Sequence, residues 1–145
     1  MTKSLLDHDL IDLLSERHNL MREKLEATWN NHSDIHISNT EWYILSKVYQ
    51  NGRPPLSSLT KHINISRQAI HKQVRNLEAK GLIELENVEY NKKEKCIKFT
   101  PLGEACYEKY EELKKQLEIK IATKIGMEQM EALKKLLNQD WGIEY

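Results

Sequence analysis

The sequence contains few of the residues that mark disulfide scaffolds, zinc knuckles or irregular chains. Among 145 residues there are two cysteines, Cys96 and Cys106, and they lack Cys-x-x-Cys spacing. Three prolines and five glycines accompany 39% hydrophobic and 30% charged residues, a composition typical of a helical globular protein. The length fits a single domain spanning residues 1–145.

Long apolar runs and enzyme motifs are also missing. No window has the apolar length of a membrane span, and acids interrupt the leucines near the N-terminus. We therefore expect no membrane segment and a cytoplasmic protein. The sequence has no glycine-rich phosphate loop, no Gly-x-Ser-x-Gly elbow and no His-Glu-x-x-His helix. We expect no enzymatic activity and no cofactor.

The charge is distributed unevenly although the formal net charge is zero. Residues 61–80 carry five basic residues and a single acid, Glu78, whereas residues 1–36 and 101–145 have more acids than bases. A basic segment between acidic flanks is compatible with nucleic-acid binding despite the zero sum. Since a charge cluster is more often only a solvated face, the interpretation depends on the structure around it.

Apolar periodicity predicts helices at both ends of the chain. A first helix is expected over about residues 5–30 and is ended by the polar stretch 30–34. Ser38 and Glu41 have the spacing of a capping box for a second helix, which stops at Asn51-Gly52. The predicted buried stripe of this second helix consists of Trp42, Leu45, Val48 and Tyr49.

The central segment predicts a helix-turn-helix. A short third helix is expected from about Ser57 to His62, with Leu59 and Ile63 facing inward and Asn64 in the turn. Ser66 then caps a fourth helix that runs to Lys80 and ends at Gly81. Two helices joined by so tight a turn form the motif in which the second helix enters the major groove of DNA.

The fourth helix has one apolar and one basic face. Ile70, Val74 and Leu77 have i, i+4, i+7 spacing and should face the core. The opposite face presents side chains that can pair with base edges or meet phosphate. The predicted DNA contacts on this helix, residues 66–80, are Ser66, Arg67, Gln68, His71, Lys72 and Arg75. The alternative is an ordinary amphipathic helix with a solvated basic face.

A predicted β-hairpin follows, in the position of a wing over residues 84–99. Strand-like runs at 83–90 and 96–99 flank the polar segment 91–95. The lysines of this segment would lie at the hairpin tip, where they could contact phosphate: Lys92, Lys93 and Lys95. The alternative is a simple polar turn.

Two helices complete the predicted fold. Thr100 caps a long helix that Pro101 begins and Gly126 ends, and the last helix carries Met130, Leu133, Leu137 and Trp141 on one side. The expected fold class is mainly α with a small β-hairpin wing (α+β). A winged helix-turn-helix lobe at 37–100 lies between the helices of segments 1–36 and 101–145.

This arrangement resembles the MarR family of bacterial transcriptional regulators over nearly the whole chain. The segment 66–83, ending Asn-Leu-Glu-Ala-Lys-Gly-Leu-Ile, is similar to the recognition helix and strand of that family, and residues 99–103 resemble its Leu-Thr-x-x-Gly. Asn91, Lys92 and Lys93 stand where the family has an Asp followed by arginines. Asn and Lys cannot form the bidentate Asp–Arg pair that braces the family's wing.

The resemblance implies a homodimer formed by the first and the last two helices. Two recognition helices about 34 Å apart would then bind a palindromic double-stranded operator. The sequence agrees, because apolar-striped helices outside a self-sufficient lobe need a partner. The resemblance also implies a ligand-responsive repressor whose small-molecule inducer binds between the dimer helices and the DNA-binding lobe. Candidate lining residues are His18, Trp29, Trp42 and Tyr43.

Two alternatives for the function stay open. One is a winged-helix protein-interaction module that does not bind DNA. The other is a metal-sensing regulator that uses His32 and His36, with Asp34 and Glu41 nearby. Because no matching His pair follows the wing, a polar loop is the preferred interpretation, and we predict no metal site.

Overall fold

The computed structural model describes residues 8–61, 65–88 and 91–143, with backbone alone for residues 60 and 91–93. The helices are α1 (Leu10–His32), α2 (Asn39–Asn51), a 3₁₀ helix (Leu56–Thr60), α3 (Arg67–Ala79), α4 (Pro101–Ile125) and α5 (Met127–Asn138). Strands β1 (Ile83–Val88) and β2 (Asn91–Phe99) form an antiparallel hairpin between α3 and α4. The predicted fold class is confirmed. Within the described ranges, no helix combines the length and apolarity needed to cross a membrane.

The bounds of α1 differ from the prediction at both ends. The Asp9 side chain accepts a hydrogen bond from the Asp12 amide at 2.9 Å, so α1 begins at Leu10, and residues 5–7 of the predicted helix lie outside the described residues. It continues through the Asn-Asn-His segment that was expected to end it and stops before Ser33. Polar residues have lower helix propensity than Leu or Ala, but by too little to end a helix whose last turns are anchored by buried Trp29.

The predicted capping box of α2 is present and belongs to a larger polar cluster. The Ser38 hydroxyl accepts from the Glu41 amide at 3.2 Å, and the Glu41 carboxylate accepts from the Ser38 amide at 3.0 Å. Glu41 is 3% exposed, and its two oxygens also accept from Lys80 Nζ at 2.8 and 2.7 Å. Lys80 donates in addition to the His36 carbonyl at 2.6 Å. One buried ion pair therefore joins the start of α2 to the end of α3.

The core is centred on Trp42 of α2. Its ring stacks on Tyr110 of α4 with centroids 3.7 Å apart and meets Trp29 of α1 edge-on at 4.9 Å. The predicted burial of Leu45 and Val48 is confirmed, but that of Tyr49 is wrong. Tyr49 is 52% exposed because it lies at the margin of the buried face, where its ring packs on Tyr107. The sequence-based stripe missed Ile44, which is fully buried.

The hairpin is longer than predicted and is attached to the helix-turn-helix at its base. The segment 91–95, expected to be a loop, belongs to β2, because ladder hydrogen bonds need backbone groups and not apolar side chains. Leu85 pairs with Ile97, and the register shifts between Asn87 and Val88. The Ile97 amide donates to the Pro54 carbonyl at 3.0 Å, which fastens the hairpin to the chain before the 3₁₀ helix.

Helix α4 packs closely against the end of the helix-turn-helix. The Thr100 hydroxyl accepts from the Gly103 amide and donates to the Gly81 carbonyl, so the predicted cap also holds the turn after α3. A Cβ atom at Gly103 would lie 1.8 Å from the Leu82 carbonyl oxygen. Any side chain there would collide with the backbone, which explains why the segment Thr-Pro-Leu-Gly needs its glycine.

Removing the partner of the buried carboxylate should destabilise the fold. We expect Lys80→Met to lower the free energy of unfolding by about 3 kcal/mol, because Glu41 would keep a buried charge with no cation beside it. Lys134→Met is the matched control, since it removes a lysine whose pair with Glu118 at 3.1 Å is exposed on both sides. That control should cost less than about 1 kcal/mol. Urea unfolding at one protein concentration measures both, and equal costs would contradict the role of the buried pair.

Candidate nucleic-acid interface

Helix α3 begins where the sequence predicts. The Ser66 side chain accepts from the Ala69 amide at 3.1 Å, and the Ser66 carbonyl accepts from the Ile70 amide at 3.1 Å. The helix ends at Ala79, and Gly81 has φ +76°, a conformation that a glycine adopts without strain. The predicted end of the short third helix at His62, the inward-facing Ile63 and the turn residue Asn64 lie outside the described residues.

The rotation of α3 is fixed by its apolar side. Ile70, Val74 and Leu77 are at most 1% exposed, as predicted. The opposite side carries the basic face of α3, whose members are all exposed: Arg67, Gln68, His71, Lys72 and Arg75. Among the residues that the structure describes, none of these five has an acidic or hydrogen-bonding partner within the chain. Their α-carbons extend about 12 Å along the helix, which is close to the width of the major groove.

The last cation of the basic segment does not belong to this face. Lys80 is turned toward the core, where the Glu41 carboxylate neutralises it. The sequence could not separate Lys80 from the other bases, because its partner lies 39 residues away in α2. The charge available to a ligand on α3 is therefore that of Arg67, Lys72 and Arg75.

Of the three lysines predicted to contact DNA from the wing, the structure describes the side chain of one, Lys95. Lys95 is exposed in β2 opposite Asn87, so it lies along the strand and not at a loop tip. The side chains of Lys92 and Lys93 lie outside the described part of the structure.

The base of the hairpin is held by ion pairs that the sequence did not indicate. Arg53, in the loop after α2, pairs with Glu86 of β1, and Lys98 of β2 pairs with Glu86 at 2.6 Å. The Ser57 hydroxyl donates to the Glu94 carboxylate at 2.5 Å. The contacts of Arg53 and Ser57 link the wing to the loop after α2 and to the 3₁₀ helix, by residues other than those of the family's Asp–Arg pair. Arg53 lies 33 residues before Glu86 in the chain, so no local sequence pattern indicates that the two form an ion pair.

Two of the four predicted pocket residues line clefts and two do not. His18 and Tyr43 line a cleft of about 630 Å³ between α1, α2 and Ile65, and His18 also lines an apolar cavity of about 290 Å³ between α1, α4 and α5. Trp29 and Trp42 lie instead in the core, 2% and 1% exposed. Trp29 packs edge-on against Trp42, and Trp42 also contacts Tyr107 and Tyr110, so both rings belong to the core and not to a cleft wall.

Arg22 is a cavity-lining residue that no sequence pattern indicated. It lines both of these cavities, and its guanidinium donates to the Tyr110 hydroxyl at 3.0 Å. Burial raises the pKa of Tyr110, and the charge of Arg22 acts in the opposite direction. The tyrosine is therefore a neutral acceptor that orients a cation toward the cavities.

The side chains considered for metal or redox chemistry have other surroundings. Among the described residues, no group of three or more His, Cys, Asp or Glu side chains is placed to hold a metal ion. Of the suggested set with His32 and His36, Glu41 is occupied by Lys80 and the capping box. Both cysteines are buried and unpaired, and burial raises the pKa of the Cys106 thiol, which disfavours its reactive thiolate.

Comparison with known proteins agrees with this geometry. Residues 37–95 match the sequence profile of the MarR family. The E. coli regulator MarR in its apo form has a similar structure (TM-score 0.76, 18% identity, 90% of this chain and 95% of that one). MepR of Staphylococcus aureus, a transcription regulator of the multidrug efflux pump MepA, also has a similar structure (TM-score 0.72, 19% identity, 90% of this chain and 94% of that one). NadR in complex with 4-hydroxyphenylacetate is 26% identical (TM-score 0.67, 94% of both chains). No curated protein matches in sequence.

The cap of α3 gives a direct test of how this helix is started. Ser66→Ala should lower the free energy of unfolding by about 1 kcal/mol, because the Ala69 amide loses its acceptor. Ser66→Thr keeps a hydroxyl at this position and should recover most of the loss. Thermal or urea unfolding of the two variants makes the comparison. If Ala and Thr destabilise equally, the side-chain cap does not contribute.

Proposed function

We propose that this chain, whose residues 37–95 match the MarR family profile, is a transcriptional regulator of that family that binds duplex DNA as a homodimer. The observation that carries the proposal is the basic face of α3. Its side chains are exposed and have no described partner within the chain, while the apolar side of the same helix is completely buried. Such a face can enter the major groove without breaking any contact of the fold.

We assign roles to the side chains of this face by chemistry and position. Residues near the start of a recognition helix approach the bases most closely, so Arg67, Gln68 and His71 would contact base edges. Lys72 and Arg75 lie further along the helix and would meet phosphate or make mixed contacts. Lys95 of the wing, with Lys92 and Lys93, would add phosphate contacts that raise affinity without much sequence preference.

The homodimer is supported by apolar surface on the terminal helices. Helix α5 buries only Met130 among its described residues, whereas Leu133, Leu136 and Leu137 are 42–57% exposed. Leu10 and Ile11 of α1 are 59% and 76% exposed. Exposed apolar side chains of this kind on the terminal helices are typical of an interface, and a two-fold pairing would present two α3 helices to a palindromic operator.

A small-molecule inducer would bind in the cleft of His18, Arg22 and Tyr43. This cleft lies between α1 of the dimer surface and Ile65, the residue before the cap of α3. A ligand there would contact both α1 and the residue before α3. The distance between these two segments must be kept for the dimer to fit its DNA site. The cation of Arg22 favours an organic anion, the class to which the 4-hydroxyphenylacetate of NadR belongs. We propose repression that such a ligand relieves, in the cytoplasm of a bacterium.

Specific binding should depend on the basic face of α3. Replacing Arg67 and His71 together by Ala should lower the affinity for DNA selected from a random pool by about 1–3 kcal/mol per lost base contact. Affinity for a scrambled duplex should change far less. Lys124→Ala at the far end of α4 is the charge control. Unchanged specific binding in the double variant, with dimer and fold intact, would refute the assignment.

The dimer should depend on the exposed leucines of α5. Leu136→Asp places a charge on the proposed interface without touching the core, so it should shift the sedimentation behaviour toward the monomer while circular dichroism stays unchanged. Asn138→Asp, on the opposite side of the same helix, introduces the same charge as a control. A wild-type protein that sediments as a monomer would contradict the proposed assembly.

A further inference from the structure

A second basic surface lies beside the helix-turn-helix. The cleft between α2 and the 3₁₀ helix has a volume of about 470 Å³ and is lined by three cations, Lys47, Arg53 and Lys61. Gln50 and Asn51 add amide groups. None of the residues that line this cleft in the described structure is acidic. The cleft therefore has the electrostatics of an anion site.

Two of the three cations are available to a ligand. Arg53 is already paired with Glu86 of the wing. Lys47 has its ammonium group 5.2 Å from the centre of the Tyr43 ring, which holds the charge at the edge of the cleft. Lys61 is exposed. Within the described residues, neither lysine has an acidic partner, so a bound anion would be their first counter-charge.

Two of the other clefts contain an acid beside their cations. The cleft of His18 and Arg22 contains Glu23, and the cavity between α1, α4 and α5 contains Glu118. An acid beside the cations lowers the attraction for a highly charged polyanion. A cleft between α1 and α4 also lacks acids and contains Lys24 and Lys120, but none of its lining residues belongs to the helix-turn-helix.

The position of the cleft points to DNA. Its wall includes Ser58 and Lys61, from the 3₁₀ helix and the residue that follows it, and this is the first helix of the helix-turn-helix. When the second helix of this motif enters the major groove, the first crosses the sugar-phosphate backbone. Tyr43 connects the two regions, because it lines this cleft and also the cleft that contains Ile65, just before α3.

We infer that this cleft binds backbone phosphates of the DNA beside the groove that α3 enters, through Lys47 and Lys61. The inference rests on the proposed function and adds a second set of contacts to it, on elements other than α3 and the wing. Such contacts fix the register of the protein on the duplex without reading its sequence. They also make binding more sensitive to salt, since each phosphate that is neutralised releases counterions.

The test compares Lys47→Gln, Lys61→Gln and the double variant with the wild type. Affinity is measured between 50 and 200 mM salt for the selected operator and for a scrambled duplex. Each lost contact should reduce the slope of log affinity against log salt by about 0.9, so the loss of affinity over this fourfold range shrinks by about 3.5-fold per lysine. Both duplexes should be affected by the same factor. Lys124→Gln, about 35 Å along α4 from its first residue, is the control that should change neither slope.

The outcomes separate the inference from the proposed function. Unchanged slopes and affinities in a protein that binds its operator would overturn the cleft and leave the regulator intact. A loss confined to the operator would also overturn it, since it would indicate base recognition. If inorganic phosphate displaces DNA from the wild type at constant ionic strength but not from the double variant, the cleft is a site for the free anion. Failure of the wild type to bind any duplex would refute the proposed function itself.

Discussion

The buried pair of Glu41 and Lys80 sets the geometry on which the rest of the lobe depends. One carboxylate caps α2, holds the last residue of the α3 region and, through Lys80, reaches the backbone at His36. Since a buried charge tolerates little displacement from its partner, α2 and α3 are held at one relative position. The basic face of α3 and the cleft beside α2 consequently keep a fixed spacing, as two sets of contacts on one duplex require.

Basic and acidic residues of this protein are concentrated in different parts of the structure. The chain is neutral overall, and its acids and bases are equal in number. Around the helix-turn-helix, however, Lys80 is neutralised internally by Glu41 and Arg53 by Glu86, while the cations of the basic face and the two cleft lysines, Lys47 and Lys61, have no described counter-charge. The acids concentrate in the terminal helices. A neutral protein can therefore present a positive surface to DNA without excess charge that would bind polyanions indiscriminately.

Local patterns were sufficient to predict most of the fold, and long-range pairs were not. The capping box at Ser38, the cap at Ser66 and the Thr100-Pro101 start depend on neighbours within a few residues, so the sequence reveals them. The i, i+4, i+7 spacing likewise predicted the buried side of α3. The ion pairs of Lys80 and Arg53 join distant segments and give no periodic signal. Trp29 and Trp42 were misplaced for the same reason, because composition cannot distinguish a ring that lines a cavity from one enclosed by other rings.

The stacking of Trp42 on Tyr110 has an optical consequence. Tyr110 receives a hydrogen bond from Arg22, which lines the cleft between the lobe and α1 and also the cavity between α1, α4 and α5. A molecule that draws the guanidinium away alters the surroundings of a tryptophan that water does not reach. We therefore expect the intrinsic fluorescence of the chain to change when a molecule binds beside Arg22, which would allow ligands to be screened without a label or a DNA probe.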